Sequence, residues 1–267
     1  MDKVYFGTNL KMYKNIQDTV SYLNELTELT KDLDRSKIEL FVIPSYTSLP
    51  DAVKIENRSL VRLGAQNMGW EEQGQFTGEI SPLMLNELGL DMVMIGHSER
   101  RHVFRETDQE ENKKVLCAIQ HHLDALLCIG ETEEEKEYGL SDEVLRTQLI
   151  AGFHGITSAM AEQLLEGEPK IRVAYEPVWA IGVNGKPASV EYAEEKHRVI
   201  KACLVDLFGE LGNRIPVLYG GSVNPQNAEP LIAQDSIDGL FVGRSAWNAG
   251  PFNTLIRSCL ECLSSQG

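Results

Sequence analysis

Three side chains and two glycine-bearing turns could act as one chemical unit. Glu176 stands before a proline in Tyr175-Glu176-Pro177, His97 opens His97-Ser98-Glu99-Arg100, and Lys11 lies two residues after Asn9. Gly220-Gly221-Ser222 and Gly243-Arg244-Ser245 each come after a short apolar run. A carboxylate, an imidazole, an ammonium and backbone N–H groups suit proton transfer beside the carbonyl of a phosphorylated substrate. The base must reach a carbon-bound proton, and the resulting enediolate oxygens need donors already in place. In this reading Glu176 is the base and His97 and Lys11 are the donors. The N–H groups of the glycine turns, at helix N-termini, can hold a phosphate dianion. Taken singly, each group has an ordinary explanation: a loop acid, a surface lysine, a structural histidine, a turn. Only convergence makes them a site, so the elements that carry them decide the matter.

Short β-branched runs alternate with helical patterns throughout the chain. The strand candidates are Val4 to Asn9, Ile38 to Ile43, Val61 to Ala65, Met92 to Ile95, Asp124 to Ile129, Ile171 to Tyr175, Ile215 to Tyr219 and Gly239 to Val242. Helix starts are marked by Ser81-Pro82, Thr107-Asp108, Ser189 and Asn224-Pro225, and Gly209 and Gly212 end the helix begun at Ser189. This alternation reads as α/β, a single (β/α)8 barrel over residues 1–267. A doubly wound open sheet is the competing topology, but its GxGxxG fingerprint is missing from Gly7-Thr8-Asn9-Leu10-Lys11. A barrel gathers the residues just beyond its strands at one mouth, and all five chemical segments come directly after strand candidates.

Composition narrows the partners. The 25 Lys+Arg against 40 Asp+Glu give a net charge of −15, which argues against nucleic-acid and anionic-membrane partners. A small phosphate is not excluded, because the Debye length at physiological salt is about 8 Å. Glu131 to Glu137, Glu110 with Glu111, and Glu191 with Glu194 and Glu195 are expected on solvated outer helices. Neither a signal-like N-terminus nor an 18-residue apolar run is present, so a cytoplasmic location is expected. Five cysteines, an odd number, do not read as a disulfide framework or a zinc site. His121, His122, His154 and His197 read as exposed helix histidines rather than metal ligands.

Seven segments together resemble triosephosphate isomerase, in that family's order and across essentially the whole chain. They are Asn9-Leu10-Lys11-Met12, Gly64-Ala65-Gln66-Asn67, Gly74 to Ser81, Ile95 to Arg101, Cys128-Ile129-Gly130-Glu131, Ala174 to Gly182 and Tyr219 to Asn224. The resemblance implies a TIM barrel that interconverts glyceraldehyde 3-phosphate and dihydroxyacetone phosphate, as in glycolysis and gluconeogenesis, with neither metal nor organic cofactor. It makes Glu176 the general base and His97 the neutral electrophile, the latter a role for which this family is the established example. It makes Lys11 the stabiliser of negative charge, Asn9 the group that orients the reacting end, and Glu99 the acid beside Lys11. Phosphate contacts fall to Asn9, Lys11, Gly182, Gly221, Ser222, Gly243 and Arg244. Pro177 to Lys186 corresponds to a mobile lid that excludes water and protects the enediolate. Cys128 is expected to pack near the site. The long loop Gln66 to Glu79 implies a homodimer.

Three departures stand out. Leu10 and Tyr13 replace a usual tryptophan and asparagine, the lid Gly182-Val183-Asn184-Gly185-Lys186 is one residue longer, and Gly243-Arg244 replaces a glycine pair. Arg244 either points away, leaving only its N–H in use, or adds a charge-assisted contact. The longer lid and altered cradle also suit a larger substrate. The alternatives are therefore an isomerase of a four-carbon ketose phosphate such as erythrulose phosphate, in polyol breakdown, and a noncatalytic phosphate-binding barrel.

Overall fold

The computed structural model describes residues 3–182 and 185–266. Eight parallel strands close into a barrel: β1 (Val4–Asn9), β2 (Ile38–Ile43), β3 (Arg62–Ala65), β4 (Met92–Ile95), β5 (Asp124–Ile129), β6 (Ile171–Tyr175), β7 (Val217–Tyr219) and β8 (Gly239–Val242). Closure is made by β8 pairing with β1, with Tyr5 opposite Gly239 and Thr8 opposite Val242. The strands are apolar on both faces because both faces are covered. One face meets the ring of helices, and the other fills the barrel with Tyr5, Phe41, Met92, Met94, Leu126, Leu218 and Phe241. Phe41 stacks on Phe241 across the interior at 5.8 Å. Gly7 is what admits that ring, since a Cβ there would lie 2.0 Å from it.

The N-terminal end of the barrel is closed by charge. Arg172, fully buried, pairs with Asp124 at 2.9 Å and with Glu39 at 3.0 Å, and Arg62 joins Asp124 at 2.7 Å. The opposite end is left for the site.

The (β/α)8 architecture read from the sequence is the one observed, with local differences. Val61 comes after a 3-10 turn (Arg58–Leu60) and stays outside β3. Pro216 has no N–H to give a ladder, so β7 starts at Val217, although the Pro216 carbonyl still accepts from Val173 at 2.9 Å. The helix expected at Asn224-Pro225 begins only at Ala228. Asn224 instead caps a turn, accepting from the Gln226 N–H at 2.9 Å, and Asn227 donates back to the Ser222 carbonyl at 2.8 Å. Ser81, Thr107 and Ser189 do cap their helices, Thr107 with Glu110 in a reciprocal capping box.

Three of the acids expected on the solvated surface are buried instead: Glu111, Glu131 and Glu194. His197 is also buried, not exposed: its Nδ1 sits 3.1 Å from the Ser236 carbonyl and its ring lies between Tyr175 and Tyr219. Burial pushes its pKa down to about 3. Among the described residues, no helix is long and apolar enough to cross a membrane.

Candidate active site

A cavity of about 570 Å3 opens at the C-terminal end of the barrel. Every residue named from sequence as catalytic or phosphate-binding lines it: Asn9, Lys11, His97, Glu99, Glu176, Gly182, Gly221, Ser222, Gly243 and Arg244.

Asn9 ends β1, and its Oδ1 accepts the Lys11 N–H at 2.8 Å. This helps hold Lys11 at φ 52°, a left-handed conformation that lysine adopts at a cost. Gln66 fastens the same turn, donating to Asn9 Oδ1 at 3.1 Å and to the Lys11 carbonyl at 2.8 Å. So directed, the Lys11 ammonium meets Glu99 at 2.6 Å. Partial burial works against ionisation of Glu99, but the hydrogen bond and charge of Lys11 outweigh it and hold the carboxyl below its ordinary range.

His97 is the N-cap of the short helix Ser98–His102, and its Nδ1 accepts the Glu99 N–H at 3.2 Å. An accepting Nδ1 leaves Nε2 as the protonated nitrogen of the neutral ring, so a donor faces the cavity. The turn before it is set by Gly96 at φ 75°, where Arg101 donates to the Gly96 carbonyl at 2.7 Å and pairs with Asp108 at 2.5 Å.

Glu176 comes directly after β6 and is buried, with its N–H bonded to the Ile129 carbonyl at 2.7 Å. Two glycines make room for it. A Cβ on Gly130 would lie 2.0 Å from the Glu176 carbonyl, and one on Gly220 would lie 2.7 Å from its Cγ. Oε1 lies 3.6 Å from His97 Nε2, whereas Oε2 is buried without a hydrogen-bond partner among the described residues. Glu176 lines the cavity, and a carboxylate so placed can take a proton from carbon. Cys128 packs behind it as expected; burial, with Glu176 beside it, pushes its thiol well above the ordinary range, which suits packing rather than nucleophilic attack.

On the far side, Gly221 and Ser222 keep their N–H groups out of backbone hydrogen bonds among the described residues, and the Ser245 hydroxyl ties the eighth turn to the seventh by donating to Val223 O at 3.0 Å. The segment expected to form a lid starts at Pro177, followed by the 3-10 turn Val178–Ala180. Glu131, buried beneath it, accepts from Trp179 Nε1 at 2.8 Å and from Tyr192 at 2.8 Å. Gly182 and Gly185 line the cavity, while Val183 and Asn184, in the segment expected to be one residue longer, lie outside the described residues.

Sequence reasoning missed Trp247 and Gln66 as parts of the site, and it placed Tyr13 only as a departure. Trp247 and Tyr13 line the cavity, and Trp247 Nε1 donates to the Asn9 carbonyl at 2.9 Å. The available signal was position: Trp247 lies three residues beyond Arg244 in the same strand-end segment.

The barrel's strand ends thus gather a carboxylate, an imidazole and an ammonium over glycine turns. The family model described as triosephosphate isomerase matches residues 4–259, and the chain belongs to that family. Among curated proteins it is 48% identical over 246 residues to an L-erythrulose-1-phosphate isomerase of Rhizobium etli, covering 92% of this chain and 88% of that one. Proteins of the same name from Rhizobium meliloti and Brucella abortus (strain 9-941) are 43% and 44% identical; the matches cover 95% and 97% of this chain and 96% and 97% of theirs. Among solved structures, a crystal structure of triosephosphate isomerase from Bartonella henselae superposes with a TM-score of 0.82 at 32% identity, covering 95% of this chain and 98% of that one.

Proposed function

We propose that this protein isomerises a four-carbon ketose phosphate of the erythrulose 1-phosphate type by proton transfer through an enediolate. The Glu176 carboxylate that lines the cavity, with Oε1 3.6 Å from His97 Nε2, is the observation that carries the chemistry. The names of the most similar curated relatives support the tetrulose over the triose.

In a 1-phosphorylated 2-ketotetrose, the carbon beyond the carbonyl bears a hydrogen and a hydroxyl. Glu176 takes that C3 proton, and the electron pair of the C–H bond becomes the C2–C3 double bond of an enediolate. His97 Nε2–H and the Lys11 ammonium stabilise its oxygens, and His97 carries the proton from the C3 oxygen to the C2 oxygen. Return of the proton from Glu176 to C2 leaves the carbonyl at C3, so the product is a ketose numbered as a 4-phosphate. On a triose phosphate the same steps give the aldose. Asn9 orients the reacting carbons, Glu99 holds Lys11 in place, and the N–H groups of Gly182, Gly221, Ser222 and Gly243 hold the phosphate. Lid closure keeps water from the enediolate.

The triose reading is the second one, favoured by the family match and by the Bartonella henselae structure. Side-by-side kcat/KM values separate the two: a higher value for erythrulose 1-phosphate than for dihydroxyacetone phosphate is expected, and the reverse order would return the triose to first place. A homodimer through loop 66–79 belongs to the same proposal. The loop is internally bonded, with Gly69 N–H to Ile80 O at 2.8 Å and Ser81 Oγ to Glu72 O at 2.6 Å, and it leaves Phe76 exposed against Trp70. Sedimentation at assay concentration should give twice the chain mass; an active monomer would contradict it.

A further inference from the structure

Two of the departures from the family pattern, Arg244 and Tyr13, are linked through Trp247. Arg244 opens the turn after β8, and its carbonyl accepts the Trp247 N–H at 3.2 Å. The Trp247 ring lies against the Tyr13 ring, with centroids 4.5 Å apart and planes at 38°, while its Nε1 holds the Asn9 carbonyl at 2.9 Å. The rest of the turn is fixed by the Ser245 bond to Val223 and by the Tyr22 hydroxyl, which donates to Ala246 O at 2.7 Å. Arg244 therefore sits on a braced turn joined to the segment that carries Asn9 and Lys11.

Charge gives that placement a purpose. The basic and acidic residues lining the cavity are Lys11 and Arg244 against Glu99 and Glu176, together with His97 and the phenol of Tyr13. Lys11 is engaged by Glu99 at 2.6 Å, whereas the exposed Arg244 guanidinium has no ion pair or hydrogen bond among the described residues. Without Arg244 the cavity would offer a dianion two carboxylates and one already paired ammonium. In a partly desolvated cleft, that imbalance opposes binding more strongly than it would in bulk water.

We infer that Arg244 supplies the side-chain charge that binds the substrate phosphate. Trp247 and Tyr13 are positioning residues, an aromatic strut that holds the anion end of the cavity at a fixed distance from the reacting end. This rests on the reading of the substrate as a phosphate ester, not on the isomerisation itself.

Inorganic phosphate titrated calorimetrically into the intact protein tests it without requiring turnover. Arg244→Gln should weaken phosphate by about 10-fold or more and flatten the dependence on salt. Trp247→Leu should weaken it by about threefold or more, and Trp247→Phe, which keeps the ring stack, should recover most of that loss. Thermal melts of each variant establish that it is folded. Unchanged phosphate affinity in Arg244→Gln overturns the assignment. Unchanged affinity in a folded Trp247→Leu, or no recovery in Trp247→Phe, overturns the strut. Phosphate binding that depends on Arg244 in a protein that turns over no sugar phosphate supports this inference and counts against the isomerase reading.

Discussion

The Nε2 atom of His97 lies 3.6 Å from Oε1 of Glu176, while the Nδ1 of the same ring accepts the Glu99 N–H. The two side chains are thus held from behind: the imidazole by a helix N-terminus, the carboxylate by the strand end and the glycines against it. In the proposed reaction, the substrate carbon and its oxygen lie between this carboxylate and this imidazole.

Gly220 is the most specific of those supports. A Cβ at this position would lie 2.7 Å from Glu176 Cγ, so Gly220→Ala should turn the carboxylate away from its working position. We expect kcat to fall by about 10-fold to 100-fold, the range set by misplacing a catalytic group by about 1 Å, with only a small shift in Tm. Steady-state kinetics paired with a thermal melt checks this, and an unchanged kcat would show that the base tolerates displacement.

Glu111 should leave its mark on the pH dependence of stability. Burial pushes it up to about 8, with Arg101 opposing and Glu106 adding to the rise. Its neighbour Glu106, despite its own burial, is held at about 2 by Arg100 and Lys114. The folded protein therefore keeps a proton on Glu111 that the unfolded chain releases near its ordinary range. That stabilisation is full below an unfolded value of about 4.3 and is lost as pH rises toward 8. His197 acts in the opposite sense, its stabilisation growing as pH rises from about 3 toward the ordinary histidine value, so the difference between proteins is the useful quantity. Urea titrations from pH 5 to 8 should show wild type losing stability relative to Glu111→Gln by about 1–3 kcal/mol. A constant difference across that range would mean that Glu111 is ionised throughout.

The fold was largely legible because a parallel barrel writes a simple pattern: buried, mainly apolar strands of three to six residues alternating with helices. It failed where a single residue broke the ladder, as Pro216 does, or where side-chain amides built a turn, as Asn224 and Asn227 do. The residues that line the cavity were legible as a group because each stands at or just beyond a strand end. The residues that support them were less so. Glu131 and Glu111 look like members of acidic surface runs in a linear sequence, and only packing reveals Trp179 and Tyr192 on the first and the cluster around Arg101 on the second. The contact of Tyr13 with Trp247 spans most of the chain and has no local signature.

At the other end of the barrel, Arg172 lies between Asp124 and Glu39. Its removal leaves two buried carboxylates with Arg62 and, 3.7 Å from Asp124, the more exposed Lys170 as partners, so Arg172→Met should cost about 3 kcal/mol or more. Because this network is remote from the mouth, kcat of the folded fraction should stay near the wild-type value. Chemical denaturation and active-site titration together check both halves, and a variant as stable as wild type would show that the network is dispensable.

The most direct measurement is to monitor erythrulose 1-phosphate by phosphorus NMR with wild-type protein and with Glu176→Gln. Wild type is expected to convert it to the isomeric 4-phosphate, and Glu176→Gln to do so at least about 100-fold more slowly. Failure of the wild type to convert the tetrulose phosphate, or equal rates in the two proteins, would contradict proton transfer by Glu176 on this substrate.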